Sequence, residues 1–494
     1  MPKKLPIFYS ALLLTGVNLL LRFVGTSFQV YISTKLGAAG VGLLQLVLSV
    51  GSLAMVAGIA GVRTATMYLT AEELGRKKYG NVTWVLSGCF LYSILCSGSV
   101  ALLLYTAAPW IAENWLGDYR TVDALRLLAA FLPTTCLCGV MTGYFTAANR
   151  IGTLAAVEVA EQLCSMAITM GLLTLWAEQD AGRACLCVVM GSSAGACLTL
   201  IALVWLRLLE RPTTGKRIAV GQRLKDTALP LGAADVLKSG INTTENLMVP
   251  KRLALCPLTE NPLAAFGLVS GMVFPVIMFP ACILYALAEL LIPELARCAA
   301  AESRLRIQYL VKRSLRIAML YGVLFCGMLF LLAKELCLWL YGNTDAVTFL
   351  RLYSLLVPML YCDAITDAMT KGLGQQKACV RYNILTSTLD VIFLFLLLPK
   401  YGMMGYFYSF LVTHLLNFLL SLRRLLLITQ QRLPFHVPAF TAAAAVAAIW
   451  GASYLTRAHL RIGAYLALLG SLLYLFKIVS REDIRWLKGL VRKK

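Results

Sequence analysis

The chain reads as an all-α, polytopic membrane protein of about fourteen transmembrane helices: two six-helix lobes in parallel repeat plus two C-terminal helices. Three observations predict it. Hydrophobic residues make up 59% of the 494 and charged residues 14%, with a mean hydropathy of +0.76, a balance foreign to water-soluble domains. The apolar residues gather in runs of about 20, the length a helix needs to cross a bilayer core. Charges fall in short segments between those runs, and no Pro/Ser/Gly linker leaves room for a separate soluble domain.

The spans fall at 7–34, 41–69, 82–107, 122–148, 151–176 and 184–208, then at 227–250, 262–291, 314–333, 346–370, 378–398 and 402–427, with a last pair at 437–455 and 460–479. They group as an N-lobe over 1–220, a C-lobe over 221–430, and two helices with a basic tail over 431–494. The first run is too long for a signal-peptide core and no small-residue cleavage site follows it, so it stays as span 1. Of the 45 Lys and Arg, counting those at span ends with the loop they adjoin, 31 lie on the side of the N-terminus and nine on the other, leaving Arg22, Arg63, Arg126, Lys238 and Arg351 deeper inside spans. The excess of positive charge puts both termini in the cytoplasm of a bacterial inner (cell) membrane protein. Membrane topology also explains the net charge of +21, because the clusters Arg207–Lys225, Arg297–Arg316 and Lys477–Lys494 face anionic headgroups and none is an aromatic-interleaved nucleic-acid patch.

The halves superpose at a constant offset of 225 residues. Leu125-Arg126-Leu127 with Pro133 recurs as Leu350-Arg351-Leu352 with Pro358, and Gly42-Leu43 recurs as Gly267-Leu268. Six helices per repeat is an even number, so the halves share one orientation and are related by an axis along the membrane normal. Pro133, Pro275, Pro280 and Pro358 should kink their helices.

Three histidines, no phosphate-cradling loop and no Cys/His cluster at ligand spacing give no support for an enzyme site, a metal or a cofactor. The fifteen cysteines mostly lie inside spans and read as reduced core residues. What remains is ionisable groups at membrane depth, which cost about 2.5–3.5 kcal/mol at a helix centre and therefore face a partner or a wet cavity. Arg22, with Asn18 one turn away, is the strongest. Span 7 is the most polar: Asp235, Lys238, Asn242, Glu245 and Asn246 recur at three- and four-residue spacing and share much of one face, although Asp235 and Lys238 can also simply neutralise each other. Arg63 points either to headgroups or inward. Asp363 and Asp367, four apart on span 10, are candidate carriers of H⁺ or Na⁺, the alternative being an Asp367–Lys371 pair; Glu158, Glu161 and Asp390 rank below them.

The segments Arg22-Phe-Val-Gly25, Lys35-Leu-Gly37-Ala-Ala-Gly40-Val-Gly42-Leu43, Gly61-Val-Arg-Thr-Ala65 and Leu69-Thr-Ala-Glu72 resemble the N-terminal region of the stage V sporulation protein B group. These are polysaccharide and lipid-linked oligosaccharide flippases of the multidrug/oligosaccharidyl-lipid/polysaccharide (MOP) superfamily. Glu245-Asn-Leu-Met-Val-Pro250-Lys-Arg252-Leu and Gly271-Met-Val-Phe-Pro275-Val-Ile-Met-Phe-Pro280 resemble that group's spans 7 and 8. The resemblance implies two lobes around a cavity, alternating access, and a lipid-linked glycan crossing to the outer leaflet. It also implies that Arg22 stands where related lipid II flippases bind the pyrophosphate; Lys238 and Arg63, read from their place inside spans, are expected to help it hold the lipid phosphate, and the charge distribution leaves no nucleic acid as partner. A second arginine that related lipid II flippases carry on span 1 stands here as a non-basic position near Phe28. Rival expectations are a multidrug or small-cation exporter (MATE-type) of the same superfamily, a membrane glycosyltransferase, and a non-transporting envelope or spore-cortex assembly factor.

Overall fold

A computed structural model describes residues 7–76, 78–148, 150–176, 180–209, 221–257, 259–431, 436–476 and 478. Among these every regular element is a helix. In chain order they are α1 (Ile7–Ile59), α2 (Val62–Gly75), α3 (Tyr79–Ile111), α4 (Val122–Ala147), α5 (Ile151–Trp176), α6 (Ala181–Leu209), α7 (Gly221–Leu253), α8 (Pro262–Gly267), α9 (Phe274–Ala300), α10 (Arg304–Leu331), α11 (Ala333–Tyr341), α12 (Val347–Ser354), α13 (Val357–Gly372), α14 (Gln376–Tyr401), α15 (Met403–Thr429), α16 (His436–Ser453) and α17 (Ala458–Leu475). Lys477–Lys494 and most of Arg207–Lys225 lie outside the described residues.

Ten described helices are long and apolar enough to cross a membrane, or eleven when the bent pair α12–α13 is taken as one span. Four segments separate this from a count of fourteen, each for a physical reason. Spans 1 and 2 run together with no loop between them, because the turn is made by single residues. Gly37 at φ 66, ψ 176 interrupts α1 without ending it, and Ala60 at φ 41 with Gly61 at φ 74 breaks the helix inside the expected span 2. Only glycine adopts the Gly37 conformation at little cost. α7 is too polar to pass as a span, the described part of α16 is short, and α12–α13 is bent by 52° next to Pro358.

The chain packs as two compact units, Met1–Gly271 with Val391–Tyr406 and Met272–Asp390 with Phe407–Lys494. Residues 221–271, second-half residues by the sequence offset, pack in the first unit with α1–α6. The decisive contact there is α1 against α8. A Cβ on Gly42 would lie 2.3 Å from the Leu263 carbonyl oxygen, and one on Gly267 would lie 1.9 Å from that of Ala38. Ala38 and Leu263 are themselves separated by the repeat offset, so this crossing is reciprocal, as contacts at a two-fold are. Two backbones meet here only because neither carries a side chain.

The repeat is visible again inside each unit. In the first, the Arg126 guanidinium lies over the Tyr105 ring at 5.4 Å; in the second, Arg351 lies over Phe330 at 6.0 Å, and both members of the pair are shifted by the same offset.

The segment around Pro275 shows how irregular backbone is satisfied. A π-helical turn, Leu268–Val273, precedes α9, and Pro275 has no N–H to offer the Gly271 carbonyl four residues back. Ser33 Oγ on α1 donates to that carbonyl at 3.1 Å. Within the second unit, Tyr341, Tyr361 and Tyr321 donate to the carbonyls of Met272, Ile277 and Pro280 at 2.9, 2.8 and 2.8 Å. Around Pro133, by contrast, α4 continues as one helix. At the chain's end, Tyr465 on α17 slots against Gly327 of α10 and donates to the Val323 carbonyl at 2.7 Å.

Gly267→Val is therefore expected to lower the melting temperature in detergent, with a cost of about 1–3 kcal/mol or more from overpacking. Gly98→Ala, which meets nothing within 4 Å, should leave it unchanged. Equal melting of both variants would show that the crossing is loose.

Candidate functional site

Arg22 is exposed on α1 and engaged by a neighbour, and the carbonyl of its own turn accepts from Thr26 Oγ1 at 2.9 Å. Asn18 lies on α1 but its side chain is outside the described residues. Further along, Thr26, Gln29 and Ser33 continue the polar stripe at helical spacing, and Gln29 Nε2 is buried with no hydrogen-bond partner among the described residues. This stripe was legible in the sequence as three- and four-residue spacing from Arg22. The weaker polarity of Thr and Ser hid it.

Arg63 stands two residues past the Ala60–Gly61 break, at the start of α2, and is exposed. A Cβ on Gly139 of α4 would lie 3.9 Å from the Arg63 Cβ, and one on Gly143 would lie 2.5 Å from the Arg63 carbonyl oxygen. The two glycines let α4 lie close under α2 at Arg63. Glu158 of α5 is half-buried within the field of Arg63 and Glu161.

The polar residues of α7 share one side of the helix but not one environment. Asp235, Lys238 and Asn242 are exposed, and no ion pair joins Asp235 to Lys238 among the described residues. Asn246 is instead fastened to α1: its Nδ2 donates to Ser49 Oγ at 3.1 Å, while Thr243 Oγ1 donates to the Ser49 carbonyl at 3.1 Å. Glu245 is half-buried and engaged. Asn246 stands at the edge of that side, next to Thr243, where α7 meets α1.

The start of α7 is held by charge and by close backbone approach. Arg223 pairs with Glu72 at 2.5 Å and with buried Glu73 at 3.3 Å, and Asn81 Nδ2 donates to Glu73 at 2.9 Å. Two turns on, a Cβ on Gly61 would lie 2.4 Å from the Ala228 carbonyl oxygen, and one on Gly232 would lie 2.6 Å from the Ala60 carbonyl carbon.

The candidate coupling acids lie in the second unit. The Asp363 carboxylate on α13 accepts from Asn417 Nδ2 with both oxygens at 3.3 Å. Asp367 is paired with Lys371 at 2.6 Å, so the two carboxylates have separate partners. Asp390 on α14, ranked low from sequence, is buried and accepts from Ser409 Oγ at 2.6 Å and Thr413 Oγ1 at 3.0 Å. Ser409, Thr413 and Asn417 recur every four residues on α15, a signal that could have flagged Asp390. No group of His, Cys, Asp and Glu among the described residues is arranged to hold a metal ion.

No family model matches the chain. It is 22% identical over 412 residues to stage V sporulation protein B of Bacillus subtilis (strain 168), covering 80% of this chain and 78% of that protein. Among solved structures it is similar to the lipid II flippase MurJ in an inward closed conformation, with a TM-score of 0.70 and 12% identity over 94% of this chain and 98% of that one. It is also similar to an inward-facing MATE family multidrug resistance transporter of the MOP superfamily, with a TM-score of 0.66 and 13% identity over 86% and 100%. A MOP superfamily transporter from Pyrococcus furiosus gives 0.60 and 15% over 86% and 96%. The fold is thus that of the MOP transporters, and the chain is a multi-pass membrane protein.

Arg223→Ala is expected to speed hydrogen exchange over 221–232 while 243–253, anchored by Ser49, stays protected. It leaves Glu73 short of a buried partner, worth about 1–3 kcal/mol. Uniform exchange along α7 would contradict this division.

Proposed function

We propose that this chain, which carries the MOP transporter fold, is a flippase moving a lipid-linked (undecaprenyl-type) oligosaccharide or cell-wall precursor from the cytoplasmic to the outer leaflet by alternating access. The observation that carries this reading is the pair of exposed guanidiniums, Arg22 on α1 and Arg63 on α2, both within the apolar stretch Leu19–Leu74. Exposed cations at that depth face water or an anionic ligand. A guanidinium fork matches phosphate oxygens bidentately, and exposed Lys238 on α7 adds a third charge. Asp235 and Asn242 lie beside Lys238 to meet sugar hydroxyls.

The likeness to stage V sporulation protein B and to MurJ supports the same substrate class. In this reading the protein is a transporter without enzymatic activity, resides in the bacterial inner membrane with both termini cytoplasmic, and is built of fourteen spans in lobes 1–220 and 221–430 with 431–494 appended. Asp363 and Asp367 are proposed to couple transport to H⁺ or Na⁺.

The second reading is a MATE-type cation exporter, favoured by the shared fold and by the buried acids of the second unit. The first unit argues against it, because α1 carries no acid.

In proteoliposomes, Arg22→Ala is expected to slow flipping of an undecaprenyl pyrophosphate sugar about tenfold or more, since a charge-assisted hydrogen bond is worth about 1.5–3 kcal/mol. Undiminished flipping at equal protein removes Arg22 from the site. For coupling, the Asp363→Asn/Asp367→Asn double variant should lose the response to an ion gradient, and an unchanged response rules those carboxylates out.

A further inference from the structure

Pro399 stands near the end of α14 and has no N–H to give the Phe395 carbonyl four residues back. The donor comes from another helix. Arg252, in the last turn of α7, donates to that carbonyl from Nε at 3.2 Å and from Nη2 at 2.7 Å, and its guanidinium lies over the Phe395 ring at 3.6 Å. Its neighbour Lys251 donates to the Asn114 carbonyl. Arg252 and Phe395 both belong to the first unit, which includes 391–406.

The join continues past the helix ends. Gly402, at φ 56, turns the chain from α14 into α15, and a Cβ on it would lie 3.2 Å from Thr259 Oγ1 and 3.4 Å from Cys256 Sγ. Spans 7 and 11 both run outward in the proposed topology, so the join sits at their outer ends.

Pro399 makes the bond conditional. A backbone N–H at 399 would serve the Phe395 carbonyl wherever α7 stood, as in any uninterrupted helix. With proline there, the bond exists only while α7 lies against α14. Both residues are partly exposed, and at the end of a span water can solvate the guanidinium and the carbonyl once they separate, so parting strands neither group in lipid. A bond that depends on the position of a second helix, and that water can replace, suits a moving join better than a fixed brace. We propose that Arg252 and the Phe395 carbonyl form a releasable clasp, which ties the end of α7 to α14 while the outer side is closed and parts when that side opens. This rests on the alternating-access reading. Arg252 is here a positioning residue, with no contact to substrate.

Two measurements test it. In the first, hydrogen exchange of the full-length protein in nanodiscs is compared with that of Arg252→Ala and Pro399→Ala. Arg252→Ala should speed exchange over 253–256 about tenfold or more, from loss of a charge-assisted bond. Pro399→Ala separates clasp from brace, because it restores an N–H that competes with Arg252 for the carbonyl. The end of α14 should keep or gain protection while 253–256 exchanges faster. Unchanged exchange over 253–256 in these variants overturns the tie.

In the second, Gly402→Cys is oxidised onto native Cys256 to lock the join. Flipping of an undecaprenyl pyrophosphate sugar in proteoliposomes should stop and should return on reduction, while Gly402→Ser, with the same backbone strain and no link, should flip under both conditions. Undiminished flipping by fully cross-linked protein overturns the clasp and leaves the transport reading standing. No flipping by the wild type overturns the transport reading and the release step with it, and the exchange result then stands for the tie alone. If Gly402→Cys does not fold or link, the exchange of Pro399→Ala decides.

Discussion

A polar or charged group at membrane depth must find a partner, because lipid supplies none, and most features of this protein follow from how each group finds one. Backbone is the first case. Where Pro275 withdraws a donor from the Gly271 carbonyl, Ser33 replaces it, and three tyrosine hydroxyls serve the carbonyls that follow. Side chains are the second. Asp390 takes two hydroxyls, Asp363 an amide and Asp367 a lysine. Arg22, itself engaged by a neighbour, Arg63 and Lys238 are exposed, and exposure at such positions is what a binding surface requires.

The architecture was legible to the extent that it rests on apolar length and on repetition. The offset that aligned Arg126 with Arg351 also aligns the rings beneath them, Tyr105 and Phe330, and it pairs Gly42 with Gly267 in the crossing that brings α1 onto α8. Those contacts need particular residues at particular heights, so they leave a trace in sequence. The joins between elements left much less. Nothing in hydropathy distinguishes a loop from a one-residue break, so hydropathy alone puts Gly37 in a connection and Ala60–Gly61 inside a span.

The site was legible in its charges and illegible in its orientations. Spacing placed Asn246 with Asp235 and Lys238, yet Asn246 turns to Ser49 because that hydroxyl sits where α1 crosses α7. Asp390 looked ordinary beside the Asp363–Asp367 pair, since its partners come from a helix nineteen and twenty-three residues on. Partners supplied by tertiary packing leave their pattern on the other helix, as Ser409, Thr413 and Asn417 do on α15.

The account stands or falls on the sign of the ligand that the first unit prefers. Purified protein should be presented with an undecaprenyl pyrophosphate sugar and with a lipophilic cationic dye, and both affinities measured under the same conditions. The account predicts saturable binding of the lipid pyrophosphate, weakened by Arg22→Ala, that the dye does not displace. Saturable binding of the dye, with none of the lipid, would contradict it.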